Sequence, residues 1–174
     1  MPNSVPRAIL FLAGFAAALW LLGPLVHPRP AHGEPSPADA ELAALETQLY
    51  EAVNRTRVQH HRGPLQRTKE LDRAARAHSR DMATRRYMSH DTPEGLNPVH
   101  RIQRAGADGF TLAGENVGMT SRADPNHEIL QGWLLSPVHR DNLLAPAFNA
   151  TGLGVARNAD GTWYYTQVYV TYPR

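Results

Sequence analysis

The chain of 174 residues contains no cysteine. Without thiols it can form no disulfide, and cysteine-based zinc, redox and nucleophilic sites are excluded outright. An exported domain with this composition must therefore be held together by its hydrophobic core alone. The length and the 42% hydrophobic content are ordinary for one globular domain, and we expect a monomer.

A surplus of positive charge is also almost absent. Of the 18 Lys and Arg residues, Arg7 and Arg29 lie in residues 1–33, whereas none of the 16 Asp and Glu residues does. The remainder therefore carries 16 charges of each sign. This balance argues against nucleic acid as a partner, because that binding requires a surplus of basic side chains placed against phosphates.

One stretch of the chain is locally basic. Arg73, Arg76 and Arg80 recur at helical spacing between Arg55 and Arg86. We interpret them as a solvated helix face rather than as an anion site, because charged residues on one side of a helix usually face water.

A long apolar run occurs at the N-terminus, from Ala8 to Val26. Its length of roughly nineteen residues suits either a long signal peptide, cleaved after Ala31-His32-Gly33, or a single membrane span that stays as an anchor. Both alternatives direct the rest of the chain out of the cytoplasm. A proline-rich linker to about Pro37 follows, and we expect residues 34–174 to fold without the leader.

Capping residues followed by proline mark the starts of several helices. Ser, Asn, Asp and Thr side chains accept hydrogen bonds at helix N-termini, and proline fits the first helical position. On these signals we predict helices from Ser36 to about His60, from about Thr68 to about Tyr87, from Asn97 to Gly106, and from Asp124 to Pro137, which closes the fourth.

The C-terminal part changes to a strand pattern. Residues 151–157 and 162–172 are rich in β-branched and aromatic side chains, Asp160-Gly161 between them is a strong hairpin signal, and Leu112 to Met119 is a plausible third strand. Helices first and a terminal β-hairpin later predict an α+β sandwich, with helices packed on an antiparallel sheet.

Several short motifs occur in a fixed order along the chain. They are Asn54-Arg55-Thr56-Arg57, Ala77-His78-Ser79-Arg80-Asp81-Met82-Ala83, Ser89-His90, Gly114-Glu115-Asn116, residues 133–144 (WLLSPVHRDNLL), Gly152-Leu153-Gly154-Val155 and Tyr165-Thr166-Gln167. Together they resemble the CAP, or SCP-like, superfamily, in particular its small bacterial single-domain members, from about Leu45 to the C-terminus. The resemblance implies an α/β/α sandwich for residues 38–174.

The resemblance also implies a cleft that gathers two His and two acidic residues. Three of these positions carry over, as His90, Glu115 and His139. The second acid does not, because the position three residues after Trp133 is Ser136. Mechanisms that need two carboxylates are therefore in doubt.

Two chemical interpretations of this set stay open. Neutral imidazoles suit zinc, so His90 and His139 are candidate metal ligands, with Glu115 orienting a ring or activating a bound water. Catalytic zinc usually has three protein ligands, so we expect such binding to be weak, with water completing the shell. Alternatively, both His side chains hydrogen-bond to Glu115 and to backbone and tie loops together.

Other polar residues near these motifs receive structural interpretations. Ser136 could act as a nucleophile with His139 as base, but a Ser before Pro137 is better explained as a helix N-cap. Asp91 lies on a turn and is interpreted as solvated, and His78 as a core residue on the second helix. We assign His60, His61, His100 and His127 to the surface, and Trp133, Trp163, Tyr165 and Tyr169 to the core and sheet faces.

The leading functional hypothesis is an extracytoplasmic binding or interaction module whose His/Glu cleft takes an unknown cell-envelope or extracellular ligand. Such a protein would contact a membrane only through an uncleaved N-terminal segment. One alternative is a zinc-dependent hydrolase or peptidase with Glu115 as general base. A second is a lipid-binding or sterol-binding protein, as known for some eukaryotic relatives of the superfamily, although no residue selects it.

Overall fold

A computed structural model of the protein describes residues 36–173. The predicted N-terminal leader lies outside these residues, so its choice between signal peptide and anchor and the domain boundary near residue 34 stay predictions. Within residues 36–173, no helix combines the length and the apolar character needed to cross a bilayer.

Five helices and four strands follow one another along the described chain. Their bounds are α1 Pro37–Gln59, β1 Gln66–Arg67, α2 Lys69–Arg85, α3 Pro98–Arg104, β2 Leu112–Thr120, α4 Pro125–Leu135, α5 Pro137–Leu144, β3 Ala150–Arg157 and β4 Trp163–Thr171. The four predicted helices and three predicted strands are present, a fifth short helix begins at the cap predicted at Ser136, and one short strand is additional.

Side-chain caps fix the starts of the first four helices, as their sequences predict. The caps Ser36, Thr68, Asn97 and Asp124 each accept a hydrogen bond from the backbone N–H three residues later. The fifth helix follows α4 directly. Because proline suits a first helical position, Pro137 both ends α4 and begins α5.

The sheet has the strand order β1-β3-β4-β2. Strand β4 pairs antiparallel with both β3 and β2, which confirms the predicted C-terminal hairpin. The connecting loop is wider than a two-residue turn: Asn158 N–H donates to the Thr162 carbonyl, and Gly161 adopts a φ of +86°. The two-residue β1 pairs parallel with β3, a feature too short to leave a periodic signal in the sequence.

Helices cover both faces of the sheet, which confirms the three-layer α/β/α arrangement. Alternate residues of β4 point to opposite faces. Tyr165 and Tyr169 belong to a core cluster with α1, α4 and α5, whereas Val168 and Val170 belong to a second cluster with α2 and α3. The whole of β4 is therefore buried except at its C-terminal end.

Helix α2 lies directly on the backbone of β3. A Cβ atom at Gly152 would lie 2.1 Å from the carbonyl carbon of Leu71, and one at Gly154 would lie 2.2 Å from that of Ala75. Both obstacles are helix backbone, which cannot rotate away as a side chain can. The close contact between α2 and β3 therefore requires glycine at both positions of the Gly-Leu-Gly motif.

Replacing Gly154 with alanine should lower the free energy of unfolding by about 3 kcal/mol or more, because α2 must shift as a whole to admit one methyl group. Gly132 is the matched control: it lies in α4, and a Cβ atom added there would have no atom within 4 Å. Gly132→Ala should leave stability unchanged or raise it by up to about 1 kcal/mol. Urea unfolding of both variants measures the difference, and equal stabilities would contradict the close-contact account.

Candidate functional cleft

The candidate site is built on β2, which is one of the two edge strands of the sheet. Glu115 is paired in register with Val168 of β4, and Asn116 with Gln167. Because neighbouring strand residues point to opposite faces, Glu115 lies on the side of α2 and α3, and Asn116 lies on the side of α5. The Gly-Glu-Asn motif therefore connects the strand to both helical layers at one point.

The Glu115 carboxylate is buried, with 1% of its side chain exposed. Its Oε2 accepts a hydrogen bond from Arg101 Nη2 of α3 at 2.5 Å, and its Oε1 accepts one from His90 Nδ1 at 2.9 Å. Charge-assisted bonds of this kind are what make a buried carboxylate tolerable. Both oxygens are thus committed to protein partners.

The backbone around His90 is held by the same arginine. Arg101 Nη1 donates to the carbonyl oxygens of His90 and Leu96, each at 2.7 Å. His78 of α2 fixes the preceding residue, since its Nε2 lies 2.8 Å from the Ser89 carbonyl oxygen. A carbonyl oxygen only accepts, so the Nε2–H form of the ring is the one that bonds here.

Burial shapes the chemistry of His78. It lowers the pKa of the ring below its ordinary value of 6.5, so the imidazole is neutral at pH 7. Its Nδ1 has no hydrogen-bond partner among residues 36–173. The predicted core role of His78 therefore includes a definite contact, which positions the loop that carries His90.

The opposite face of β2 holds α5. Asn116 Nδ2 donates to the His139 carbonyl oxygen at 2.9 Å, and Asn142 Nδ2 donates to Asn116 Oδ1 at 3.0 Å and to the Glu115 carbonyl oxygen at 3.1 Å. The backbone of α5 at His139 is thereby tied to the residue next to Glu115.

This contact continues as a buried hydrogen-bond chain across the sheet. Asn116 Nδ2 also donates to the Tyr169 hydroxyl at 3.1 Å, Tyr169 donates to Gln167 Oε1 at 2.8 Å, and Gln167 donates to the Thr151 hydroxyl at 3.1 Å. Each of these polar side chains is fully buried and has a partner, as a stable core requires.

Two glycines let the helical layer approach β2. A Cβ atom at Gly114 would lie 2.8 Å from the Phe148 ring, and one at Gly118 would lie 2.9 Å from Ile129. Nearby, Trp133 Nε1 of α4 donates to the Val117 carbonyl oxygen at 3.0 Å. The exposed edge of the strand is thus covered by side chains rather than left open for another strand.

A buried arginine holds the far end of α5. Arg57 donates to the carbonyl oxygens of Gly63, Leu143, Ala145 and Phe148. Positive charge at a helix C-terminus is favourable, because the last carbonyl groups carry partial negative charge. Burial lowers the pKa of Arg57, and these four acceptors replace the lost water.

A cavity of about 310 Å³ lies between β2, α4 and α5. His139 and Ser136 line it together with apolar side chains, among them Trp133, Met88 and Met119. The two methionines are 51% and 52% exposed. Ser136 occupies the N-cap position of α5 as predicted, but its hydroxyl makes no capping hydrogen bond.

The two site histidines have opposite electrostatic environments. The hydrogen bond to Glu115 raises the pKa of His90, whose side chain is 49% exposed. Burial lowers the pKa of His139, and the charge of His90 lowers it further. With its Nδ1 bound to Glu115, His90 can offer a charged donor at Nε2, and His139 offers a neutral ring.

The described residues do not supply a three-ligand metal site. No group of three His, Asp or Glu side chains within residues 36–173 is arranged to hold a metal ion. His90 and His139 could provide two imidazole nitrogens, but the Glu115 oxygens are occupied by Arg101 and His90. This set falls short of the three protein ligands usual for catalytic zinc.

The predicted site residues are therefore distributed as follows. His90 and Glu115 are in direct contact, His139 joins them through its backbone and Asn116, and Glu115 lies beneath the surface rather than in the cavity wall. Asp91 is exposed, as expected of a turn residue. The remaining histidines His60, His61, His100 and His127 are exposed, and the aromatics Trp133, Trp163, Tyr165 and Tyr169 are buried, as predicted.

Sequence reasoning missed Arg101 as a member of the site. The available signal was indirect, because a buried glutamate requires a cationic or multiple hydrogen-bonding partner. Several arginines could have met that requirement, and only the packing of α3 against β2 identifies which one does.

Comparison with known proteins gives consistent matches. Residues 50–169 match the CAP, cysteine-rich secretory protein, family. The chain is 29% identical over 133 residues to the uncharacterized protein YkwD of Bacillus subtilis (strain 168), covering 76% of this chain and 49% of that protein.

Solved structures agree with this match. An extracellular protein containing an SCP domain from Bacillus anthracis str. Ames is 32% identical with a TM-score of 0.68, covering 80% of this chain and 45% of that one. An outer surface protein from Borrelia burgdorferi has a TM-score of 0.68 at 18% identity, covering 75% of this chain and 94% of that one, and shows the shared fold alone. The chain spans about half the length of YkwD and of the Bacillus anthracis protein.

The histidine environments predict separate titrations. In proton NMR, His90 should titrate above pH 6.5 and His139 below it. Glu115→Gln should lower the pKa of His90, because it removes the acceptor charge that stabilises the imidazolium.

Asp91→Asn is the control, because it also removes a carboxylate next to His90. Asp91 is exposed, and of the groups that shift the pKa of His90 it has the smallest effect. Its effect on His90 should be clearly smaller. A His90 pKa that does not respond to Glu115→Gln in a folded variant would refute the assigned contact.

Proposed function

The chain belongs to the CAP, or cysteine-rich secretory protein, family, and on that premise we propose that it is an extracytoplasmic binding module. Its ligand would enter the cavity beside His139, and the half-exposed His90 ring, which does not line the cavity but is near enough to lower the pKa of His139, would contact a part of the ligand that extends beyond it. The apolar lining would contact the body of the ligand, and the two imidazoles would fix its polar part.

The observation that carries this proposal is the composition of the cavity wall. Met88 and Met119 are each about half exposed beside Trp133 and His139. Flexible, polarisable methionine side chains adapt to varied ligand shapes, and exposed apolar groups gathered around a few polar ones are typical of binding sites.

The extracytoplasmic location is supported by two independent features. The similar Bacillus anthracis protein is an extracellular protein. The N-terminal sequence from Ala8 to Val26 has the apolar character of an export element. The lack of cysteine poses no obstacle, because the buried polar contacts and the core clusters replace disulfides as the stabilising elements.

Hydrolytic chemistry gains no support from the same geometry. A general base must reach a water molecule or a substrate proton, and Glu115 is buried with both oxygens bound. A carboxylate in that state can position His90, and Glu115 does not line the cavity in which a substrate would bind. Likewise, no residue that lines the cavity beside His139 distinguishes a lipid from other partly apolar ligands.

A binding experiment on cell-envelope fractions tests the proposal. The purified protein should bind one or more fractions of the producing organism, and His139→Ala combined with Met119→Gln should reduce that binding at least about tenfold, because the variant loses both the polar and the apolar contacts of the cavity. His127→Ala combined with Val58→Gln is the matched control, since both of its residues are exposed and lie outside the cavity.

Metal analysis and activity assays on the same preparation discriminate an enzyme from a binding module. We expect no stoichiometric zinc after dialysis and no peptide or ester hydrolysis. Stoichiometric zinc together with hydrolysis that disappears in both His90→Ala and His139→Ala would overturn the proposal. Equal binding of the cavity variant and its control would overturn it as well.

A further inference from the structure

A second concave surface of the domain is lined by arginines. A groove of about 860 Å³ runs between α2, the loop of residues 92–96 and the end of α3. Its charged lining consists of Arg73, Arg76, Arg80, Arg101, Arg104, Asp81 and Glu94. Arg73 and Arg80 are exposed, as the sequence predicted, whereas Arg76 is half-buried, and all three lie on one side of this groove rather than on a free helix face.

Part of this charge is neutralised within the fold. Arg101 and Arg76 each bind a buried glutamate and serve the core. Both acids of the groove are occupied as well, because Asp81 and Glu94 lie 3.5 Å and 2.7 Å from Arg85. Because the single guanidinium of Arg85 serves both acids, this set keeps one negative charge, and any positive surplus in the groove must come from the remaining arginines.

Three arginines remain available to a ligand. Arg73 has one exposed ion pair, with Glu70 at 3.4 Å, which contributes little in water, and its Nη2 also donates to the Ala105 carbonyl oxygen at 2.7 Å, so only its other N–H groups are open to a ligand. Arg80 and Arg104 are exposed, and neither has a carboxylate within ion-pair distance among residues 36–173. The groove therefore keeps a small surplus of positive charge, carried by Arg80 and Arg104, in a domain whose basic and acidic residues are otherwise balanced.

The positions of these arginines define the ligand. Arg73 and Arg80 are seven residues apart on α2, which is two turns or about 10 Å along one face. Arg104 approaches from α3 on the facing wall. One phosphate or carboxylate group cannot reach both ends of this row, whereas successive groups of a chain can. The guanidinium fork matches either oxyanion with two parallel hydrogen bonds.

We propose that this groove binds a linear polyanion, a polymer that carries phosphate or carboxylate groups at intervals along its length. The concave shape favours a chain over a flat lipid surface. The groove shares no lining residue with the cavity beside His139, so this interaction is separate from the function proposed above.

Two polymers and one membrane surface serve as probes for the full chain. Long-chain inorganic polyphosphate supplies phosphate groups, polygalacturonate supplies carboxylates, and phosphatidylglycerol vesicles supply a charged bilayer. Binding of at least one polymer is expected, and Arg80→Gln combined with Arg104→Gln should weaken it at least about tenfold. The slope of log affinity against log salt should also fall by about 1.4, for two lost contacts on a flexible strand.

The control removes the same charge elsewhere. Arg55→Gln combined with Arg122→Gln changes two exposed arginines outside the groove and should leave polymer binding within about twofold of the parent. His139→Ala should also leave it unchanged, which separates this test from that of the cavity. Circular dichroism confirms that each variant is folded.

Whether the protein binds polyphosphate or polygalacturonate shows whether the groove prefers phosphate or carboxylate groups. Binding of neither polymer, binding only to vesicles, or equal losses in the groove variant and the charge-matched control would each overturn the proposal.

Discussion

The site depends on one requirement, that the buried carboxylate of Glu115 be paired. Removing a carboxylate from water costs several kcal/mol unless a cation and further hydrogen bonds replace the solvent. Arg101 meets this requirement, and its second nitrogen holds the carbonyl groups of His90 and Leu96. The position of the His90 ring is therefore a consequence of how Glu115 is neutralised. Under the proposed binding function, this arrangement makes Glu115 a positioning residue, and the imidazoles and the cavity wall would contact the ligand.

The same strand transmits this constraint to the other helical layer. Because Asn116 follows Glu115, its side chain points to α5, where it binds the His139 backbone and continues into the buried chain through Tyr169. Glycines on either side of Asn116 let α4 and Phe148 approach closely. Two histidines separated by 49 positions in the sequence are thus fixed by hydrogen bonds to the same two residues of β2, without disulfides.

Much of the fold follows from local signals in the sequence, whereas much of the site does not. Caps and prolines predicted four helix starts because they act on backbone groups within three residues. The short strand β1 carried too little periodic pattern to be predicted, and only the Ser136-Pro137 cap indicated the start of α5. Arg76 appeared to be a solvated residue, yet it binds the buried Glu46, thirty positions away, and the partner of Glu115 could be any of several arginines until α3 is packed on β2. Pairings at such separations are decided by tertiary structure.

A double-mutant cycle between Arg101 and Glu115 tests the central claim most directly. Unfolding free energies of the parent, Arg101→Met, Glu115→Gln and the double variant give the coupling between the two side chains. Each single change should be strongly destabilising, because it leaves a buried polar partner uncompensated, and the double change should recover part of the loss. A coupling of about 2–3 kcal/mol is expected for such a contacting, buried pair. A coupling below about 0.5 kcal/mol would contradict it, since Glu115 would then be independent of Arg101 and free for another role.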